Sequence, residues 1–239
     1  MAPDPSVLLK QAGIGNPLIG LYDVPDDISF DPAERVEPGS HYCLFSFYQR
    51  WMAGEYLVLT REEFGCGGCG RSMFSLQTRP RDEFVKFLAE TEGLKDSKEL
   101  MEEWIDNSGT YEPENSRIVV GPLKEEAYAW LKTVTFYVNP DQLSILMQGA
   151  QYYSRVSDPP PVISPFGSGC MQLISVFDDL AAAQAAIGAT DMAMRQHLPP
   201  DILAFTVTVP MYERLCSLDK RSYLFKPFLA NLRKARGLG

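Results

Sequence analysis

Residues 129–153 read AWLKTVTFYVNPDQLSILMQGAQYY, and this stretch decides the fold class. Its first ten residues, Ala129–Val138, are rich in β-branched and aromatic side chains and predict a strand. Asn139-Pro140-Asp141 then carries helix-start chemistry, with proline at an early position where its missing N–H costs nothing. A helix is expected over Gln142–Tyr153. A strand that hands directly to a helix is the unit from which mixed α/β chains are built.

The same alternation continues on both sides. Downstream, the triple proline Pro159–Pro161 precedes an expected strand at Pro161–Ser164. A turn, FGSGC, then leads into an expected helix at about Met171–Leu180. A helix at Thr190–His197, a strand at Ile202–Val209 (ILAFTVTV) and helices at Met211–Leu218 and Ser222–Ala235 complete that half. Upstream, a short helix over residues 5–12 is followed by a strand at Pro17–Asp23 and an acidic, proline-containing loop from Asp23 to Ser40. His41–Met52 reads as a buried helix and Glu55–Thr60 as a strand. The glycine-dense turn FGCGGCGRSMF then opens a short helix. Helices at Arg81–Thr91 and Ser97–Asn107, with Ser97 as N-cap, and a strand at Ser116–Gly121 lead back to the opening stretch. The expected fold is α/β or α+β, a mixed β-sheet with flanking helices. It forms a single domain over residues 1–239 with a candidate subdomain border near 158–161.

Composition bounds the function. With 239 residues, 45% of them hydrophobic and 22% charged, the chain can bury a sizeable core. No apolar run approaches the roughly 18–20 residues of a membrane span, and MAPDPSVLLKQAGIG lacks a basic flank before an apolar stretch. A cytoplasmic protein is expected, with no membrane partner. The net charge of −9 argues against nucleic acid, because phosphate backbones demand clustered Lys and Arg. Charge is uneven: residues 82–126 carry thirteen acids against five bases, and residues 213–239 seven bases against two acids. The basic end reads first as a solvated helical face.

Five cysteines in a reducing compartment leave three readings: buried thiol, metal ligand or reactive thiol. Gly65-Cys66-Gly67-Gly68-Cys69-Gly70 places two thiols three positions apart, a spacing that can share one metal or close as a redox disulfide. Gly67 and Gly68 free the backbone there, and Cys69 is expected near a helix start, where the dipole lowers a thiol's pKa. Gly167-Ser168-Gly169-Cys170 is a second glycine-rich turn, expected between a strand and a helix that would favour an anion or thiolate. It has neither a P-loop Lys-Ser/Thr pair nor a dinucleotide fingerprint. The bland reading of both turns is close packing around small, apolar thiols. Cys43 sits two residues after His41, a spacing that does not share one helical face. Cys216 lies on an amphipathic helix and reads as structural. With two histidines and no adjacent serine nucleophile, a Ser-His-Asp triad has little support.

At these residues the sequence resembles the archaeal conserved region family, domain of unknown function 169. The resemblance rests on the order of short motifs: Pro17–Leu21, Tyr42-Cys43, Tyr56–Thr60, Cys66-Gly67-Gly68, Val138-Asn139-Pro140, Gly169-Cys170, Gly188-Ala189 and the strand ending at Pro210. It implies recurring cysteines at Cys43, Cys66 and Cys170, and a further one just before the Gly-Ala turn. Ile187 stands there in this chain, so Cys69 becomes the natural substitute. The resemblance implies no established reaction.

Three functions follow as expectations. The first is an iron–sulfur cluster or zinc centre held by Cys66, Cys69 and Cys170, with Cys43 as candidate fourth ligand. The second is a module for a small anionic ligand or cofactor lined by Gly67, Gly68, Gly167, Ser168 and Gly169. The third is thiol redox or nucleophilic chemistry at Cys66 or Cys170. A small-molecule ligand and homo-oligomerisation stay open.

Overall fold

The computed structural model describes residues 2–36 and 39–237. Glu37 and Pro38 of the acidic loop, Met1, and the last two residues of the basic C-terminal segment lie outside the described residues. The chain starts with α1 (Ser6–Ala12), β1 (Ile19–Val24) and β2 (Ala33–Arg35). A 3-10 turn at Leu44–Phe47 runs into α2 (Tyr48–Met52), followed by β3 (Tyr56–Leu59) and α3 (Gly67–Phe74). Next come α4 (Arg81–Lys86), which continues as a π-helical turn over Phe87–Thr91, α5 (Lys98–Asn107) and β4 (Arg117–Pro122). β5 (Leu131–Val138), α6 (Pro140–Gln151), β6 (Val162–Ile163), β7 (Ala185–Gly188) and α7 (Met192–Arg195) follow. The chain closes with β8 (Leu203–Thr208), α8 (Val209–Cys216) and α9 (Pro227–Ala235).

The opening stretch folds as read. Asn139 caps α6 by accepting from the Gln142 amide at 3.0 Å, while the Gln142 side chain accepts from the Asn139 amide at 3.0 Å. This reciprocal capping box satisfies two donors that a helix start otherwise leaves bare. Ser97 likewise caps α5 through the Leu100 amide.

All eight strands join one mixed sheet in the order β2-β3-β4-β1-β5-β8-β7-β6. The six inner strands pair antiparallel, and the two edge strands, β2 and β6, pair parallel to their neighbours. Both faces are covered, so inner strands are buried at nearly every position, as a sheet covered on two sides requires. Alternation still sorts the side chains. Tyr22, Val58, Val119, Val134, Phe136, Phe205 and Val207 point to one face, under α1, α6, α8 and α9. Leu21, Leu57, Ile118, Val120, Tyr137 and Ala204 point to the other, where Leu44, Phe45, Trp51, Cys69, Met73 and Cys170 pack on them. Both glycine-rich turns therefore sit over the second face. A satellite cluster of Val85, Leu88, Met101 and Ile105 holds α4 and α5 together beside them. No helix among the described residues is long and apolar enough to cross a membrane.

Two expected helices are not as read. His41–Cys43 is non-helical, and the helical path begins only at Leu44 with Cys43 in extended conformation (ψ 130°). The expected helix at Met171–Leu180 is a 3-10 turn over Met171–Leu173 followed by turns. The physical reason is tertiary: the Thr133 hydroxyl donates to the Leu173 carbonyl at 2.7 Å and ties this turn to β5. Residues 170–175 are buried in succession, which no one-sided helix could satisfy.

One carboxylate is fully enclosed. Asp23, at the end of β1, accepts from the Tyr111 hydroxyl at 2.6 Å and from the amides of Glu114 and Asn115 at 2.8 and 3.0 Å. The Tyr111 amide in turn donates to the Ser72 carbonyl of α3 at 3.0 Å, and the Ser75 hydroxyl donates to the Tyr111 carbonyl. Asp23 thus anchors the loop that holds the far end of α3.

Candidate metal centre

Cys66, Cys69 and Cys170 converge. Their Sγ atoms all lie within 4.8 Å of one another, with Cys66–Cys69 at 3.6 Å and Cys69–Cys170 at 2.8 Å. Cys69 and Cys170 are buried, at 0% and 4% exposure, and Cys66 is partly open.

Local backbone requirements explain how the first two arrive. Gly65 has φ +82° immediately before the first thiol, a left-handed conformation that side chains resist. A Cβ there would also lie 3.1 Å from the Tyr42 carbonyl oxygen and 3.4 Å from Tyr42 Cζ. The reversal puts Cys66 at the N-cap of α3 and Cys69 one turn into it, so both sulfurs sit on the side facing the sheet. Arg71 ties α3 to α5 by donating to the Ile105 carbonyl and the Ser108 hydroxyl, each at 2.9 Å.

Cys170 arrives on a pinned turn. The Gly169 amide donates to Asp191 at 3.2 Å, the Met171 amide to the Ser168 hydroxyl at 3.3 Å, and the Gln172 amide group to Thr190 at 2.8 Å. A Cβ at Gly169 would meet Met194 Sδ at 2.3 Å and Phe45 Cε2 at 2.6 Å, so its absence lets those side chains close on the turn. The two glycine-rich segments abut: a Cβ on Gly68 would be 3.6 Å from Ser168 Oγ and 3.7 Å from Cys66 Sγ. Gly67 packs under Thr78, and Gly167 lies against Met171 and Trp104.

The three thiols share their protons unequally. Contacts with Cys170 and then Cys69 draw the Cys66 thiol far below the usual thiol range, and the amides of Cys69 and Gly68 add to this. Cys170 is pushed up by its hydrogen bonds to Cys66 and Cys69 and by burial. The contact of Cys69 with Cys170 works downward, yet its contact with Cys66 and complete burial carry it upward. The expectation that the helix start would depress Cys69 is therefore corrected: the effect falls on Cys66, the N-cap. Cys170 likewise has no helix behind it to lower its pKa.

This asymmetry has a measurable result. Iodoacetamide is expected to label Cys66 first, at a rate nearly constant across the neutral range, where an ordinary thiol's rate rises about tenfold per pH unit. Time-resolved peptide mass mapping checks it, and preferential labelling of Cys43 or Cys216 would contradict the assignment.

The remaining candidates lie apart. Cys43 stands outside the triad: burial raises its thiol, the amides of Phe45 and Ser46 work the other way, and the charges of Cys66 and Asp191 add to the rise. Cys216 belongs to the opposite face, next to Tyr212. His41 is exposed. Ile187 also packs on the opposite face, so that position offers the triad nothing.

Sequence reasoning missed two tyrosines. The hydroxyls of Tyr42 and Tyr137 are buried without any hydrogen-bond partner. Burial raises both phenols; Cys69, Glu34, Cys66 and Cys170 add to the effect at Tyr42, and Tyr48, Cys170 and Cys43 at Tyr137. Tyr42 adjoins Cys43 in sequence and was legible only through the family resemblance. Nothing in residue spacing ties Tyr137 to thiols elsewhere in the chain.

Neither the curated proteins nor the solved structures yield a match to this chain. The family comparison does: residues 19–217 match the family described as Uncharacterised ArCR, domain of unknown function 169, a span that takes in every strand and all five cysteines. The chain belongs to that family.

Proposed function

We propose that this protein holds a soft metal, as an iron–sulfur cluster or a zinc ion, through Cys66, Cys69 and Cys170. The observation that carries the reading is the meeting of three sulfurs, one drawn from 101 residues away, at a largely enclosed point between two pinned turns. Thiolates are the ligands that select zinc and iron–sulfur centres over harder cations. A tetrahedral thiolate pair at about 2.3 Å from a metal is about 3.8 Å apart, close to the 3.6 Å of Cys66 and Cys69. Cys170 has to withdraw from Cys69 by about 1 Å to match. Bound metal would replace the protons that Cys69 and Cys170 now carry, since ligating thiols must be deprotonated.

Anaerobic purification followed by iron, sulfide and zinc analysis tests the proposal. A metal stoichiometric with the chain, lost in Cys66→Ser, supports it; chain free of iron, sulfide and zinc after reconstitution would remove it.

Thiol redox chemistry is the second reading, and the 2.8 Å approach of Cys69 and Cys170 favours it. In that case the Cys66 thiolate attacks an azo oxidant such as diamide first, and diamide takes up two protons and two electrons as one disulfide forms within the triad. Peptide mapping after diamide, set against metal content, separates the two.

A further inference from the structure

Three cysteines leave a soft metal one ligand short of the four it normally takes. Cys43 is the obvious protein candidate, but it stands outside the group of sulfurs that meet and faces the amides of its own 3-10 turn. What the fold gathers into the same apolar cluster as the triad is a pair of unpartnered hydroxyls. Tyr42 lays the tip of its ring over Gly65, the residue before Cys66, with Cζ 3.4 Å from where a Cβ would be. Its oxygen is shielded from solvent and bonded to nothing. Tyr137 rises from β5 on the floor of the same apolar cluster, at 1% exposure, and its hydroxyl is equally without a partner.

An unpaired buried hydroxyl costs about 1–3 kcal/mol, so most are satisfied. Two that share one apolar cluster with the thiols point to a group that accepts from them. The sulfurs themselves leave both unpaired, and both residues offer O–H donors, which suit an acceptor atom rather than a cation. Resting on the metal-centre reading, we propose that the fourth position on the metal is open to a small exogenous ligand of the water, hydroxide or small-anion class, whose bound atom accepts a hydrogen bond from Tyr42. Tyr137 is the second donor to the same pocket. On this view Tyr42 is a binding residue for the exchangeable ligand, and Cys43 is packing.

Cobalt(II) substitution with azide as the probe tests this in the full-length chain. Wild-type protein loaded with cobalt is expected to show thiolate charge-transfer bands, and azide is expected to shift the visible d–d bands in a saturable titration. Tyr42→Phe removes only an unpartnered oxygen, so it is expected to keep folding and cobalt affinity while weakening azide by about tenfold. Cys43→Ser is expected to keep the full thiolate intensity. Thiolate bands that ignore azide, with intensity lost in Cys43→Ser, would make Cys43 the fourth ligand and overturn this inference alone. Equal azide affinity in Tyr42→Phe and wild type would overturn the role of Tyr42. Absence of thiolate bands in the wild type would overturn the metal reading, and this inference with it.

Discussion

Cys170→Ser is expected to lower zinc affinity by about 100–1,000-fold while leaving the fold intact. Structural zinc sites bind with ~10–16 kcal/mol in all. One ligand in three or four therefore carries ~3–4 kcal/mol, which converts to that range of affinity. Serine preserves shape, but its hydroxyl does not ionise near neutrality and is a harder donor than the thiolate it replaces. Cys216→Ser is the matched control. Cys216 lies on the opposite side of the sheet, beside Tyr212, and its loss is expected to change affinity by less than about twofold. Competition with a chromophoric chelator reads both. Equal affinities in the two variants would mean that Cys170 is not a ligand.

Asp23→Ala is expected to cost about 3–5 kcal/mol of stability, a large part of what a domain of this size holds in reserve. The carboxylate is wholly buried and accepts three hydrogen bonds, from the Tyr111 hydroxyl and the Glu114 and Asn115 amides. Alanine leaves three part-buried donors without their acceptor, and each such orphan carries a desolvation penalty. Asp23→Asn keeps one acceptor oxygen and is expected to fall between. Because Tyr111 also holds α3 through the Ser72 carbonyl, the variant is expected to loosen the Cys66–Cys69 turn as well. Urea titration of the metal-free protein measures the first effect as a lower midpoint with an unchanged slope. A loss under about 1 kcal/mol would show that water or another acceptor replaces the carboxylate.

Asp23 also shows where sequence reading stops. Its strand was legible from the apolar run PLIGLYD, but an acid at a strand end beside an acidic loop looks solvated. Only the return of residues 111–115, some ninety positions later, encloses it. The same division runs through the molecule. Strands and capped helices whose signals are local were readable: the helix start at Asn139-Pro140-Asp141, Ser97 before α5, and the β-branched and aromatic stretch of β5. The helix expected at 171–180 gives way to a turn buried at every residue from 170 to 175 and tied by Leu173 to Thr133 of another strand. The short strands Ala33–Arg35 and Ala185–Gly188 carry too few residues to declare a period, and pairing with neighbours makes them strands.

The candidate site was half legible. Cys66 and Cys69 announce themselves by spacing, and glycine-flanked Cys170 suggested a partner, but convergence is a property of the sheet. The proton distribution was not readable, since it depends on which thiol ends up buried and which caps a helix. Nor were Tyr42 and Tyr137, whose unpaired hydroxyls become visible only once their rings are packed.

X-ray absorption at the edge of the bound metal, on wild-type protein purified without oxygen, tests the central assignment most directly. A shell of three protein sulfurs at about 2.3 Å, reduced to two in Cys170→Ser, is the expected result. A first shell of nitrogen and oxygen alone, or a sulfur shell untouched by that substitution, would contradict it.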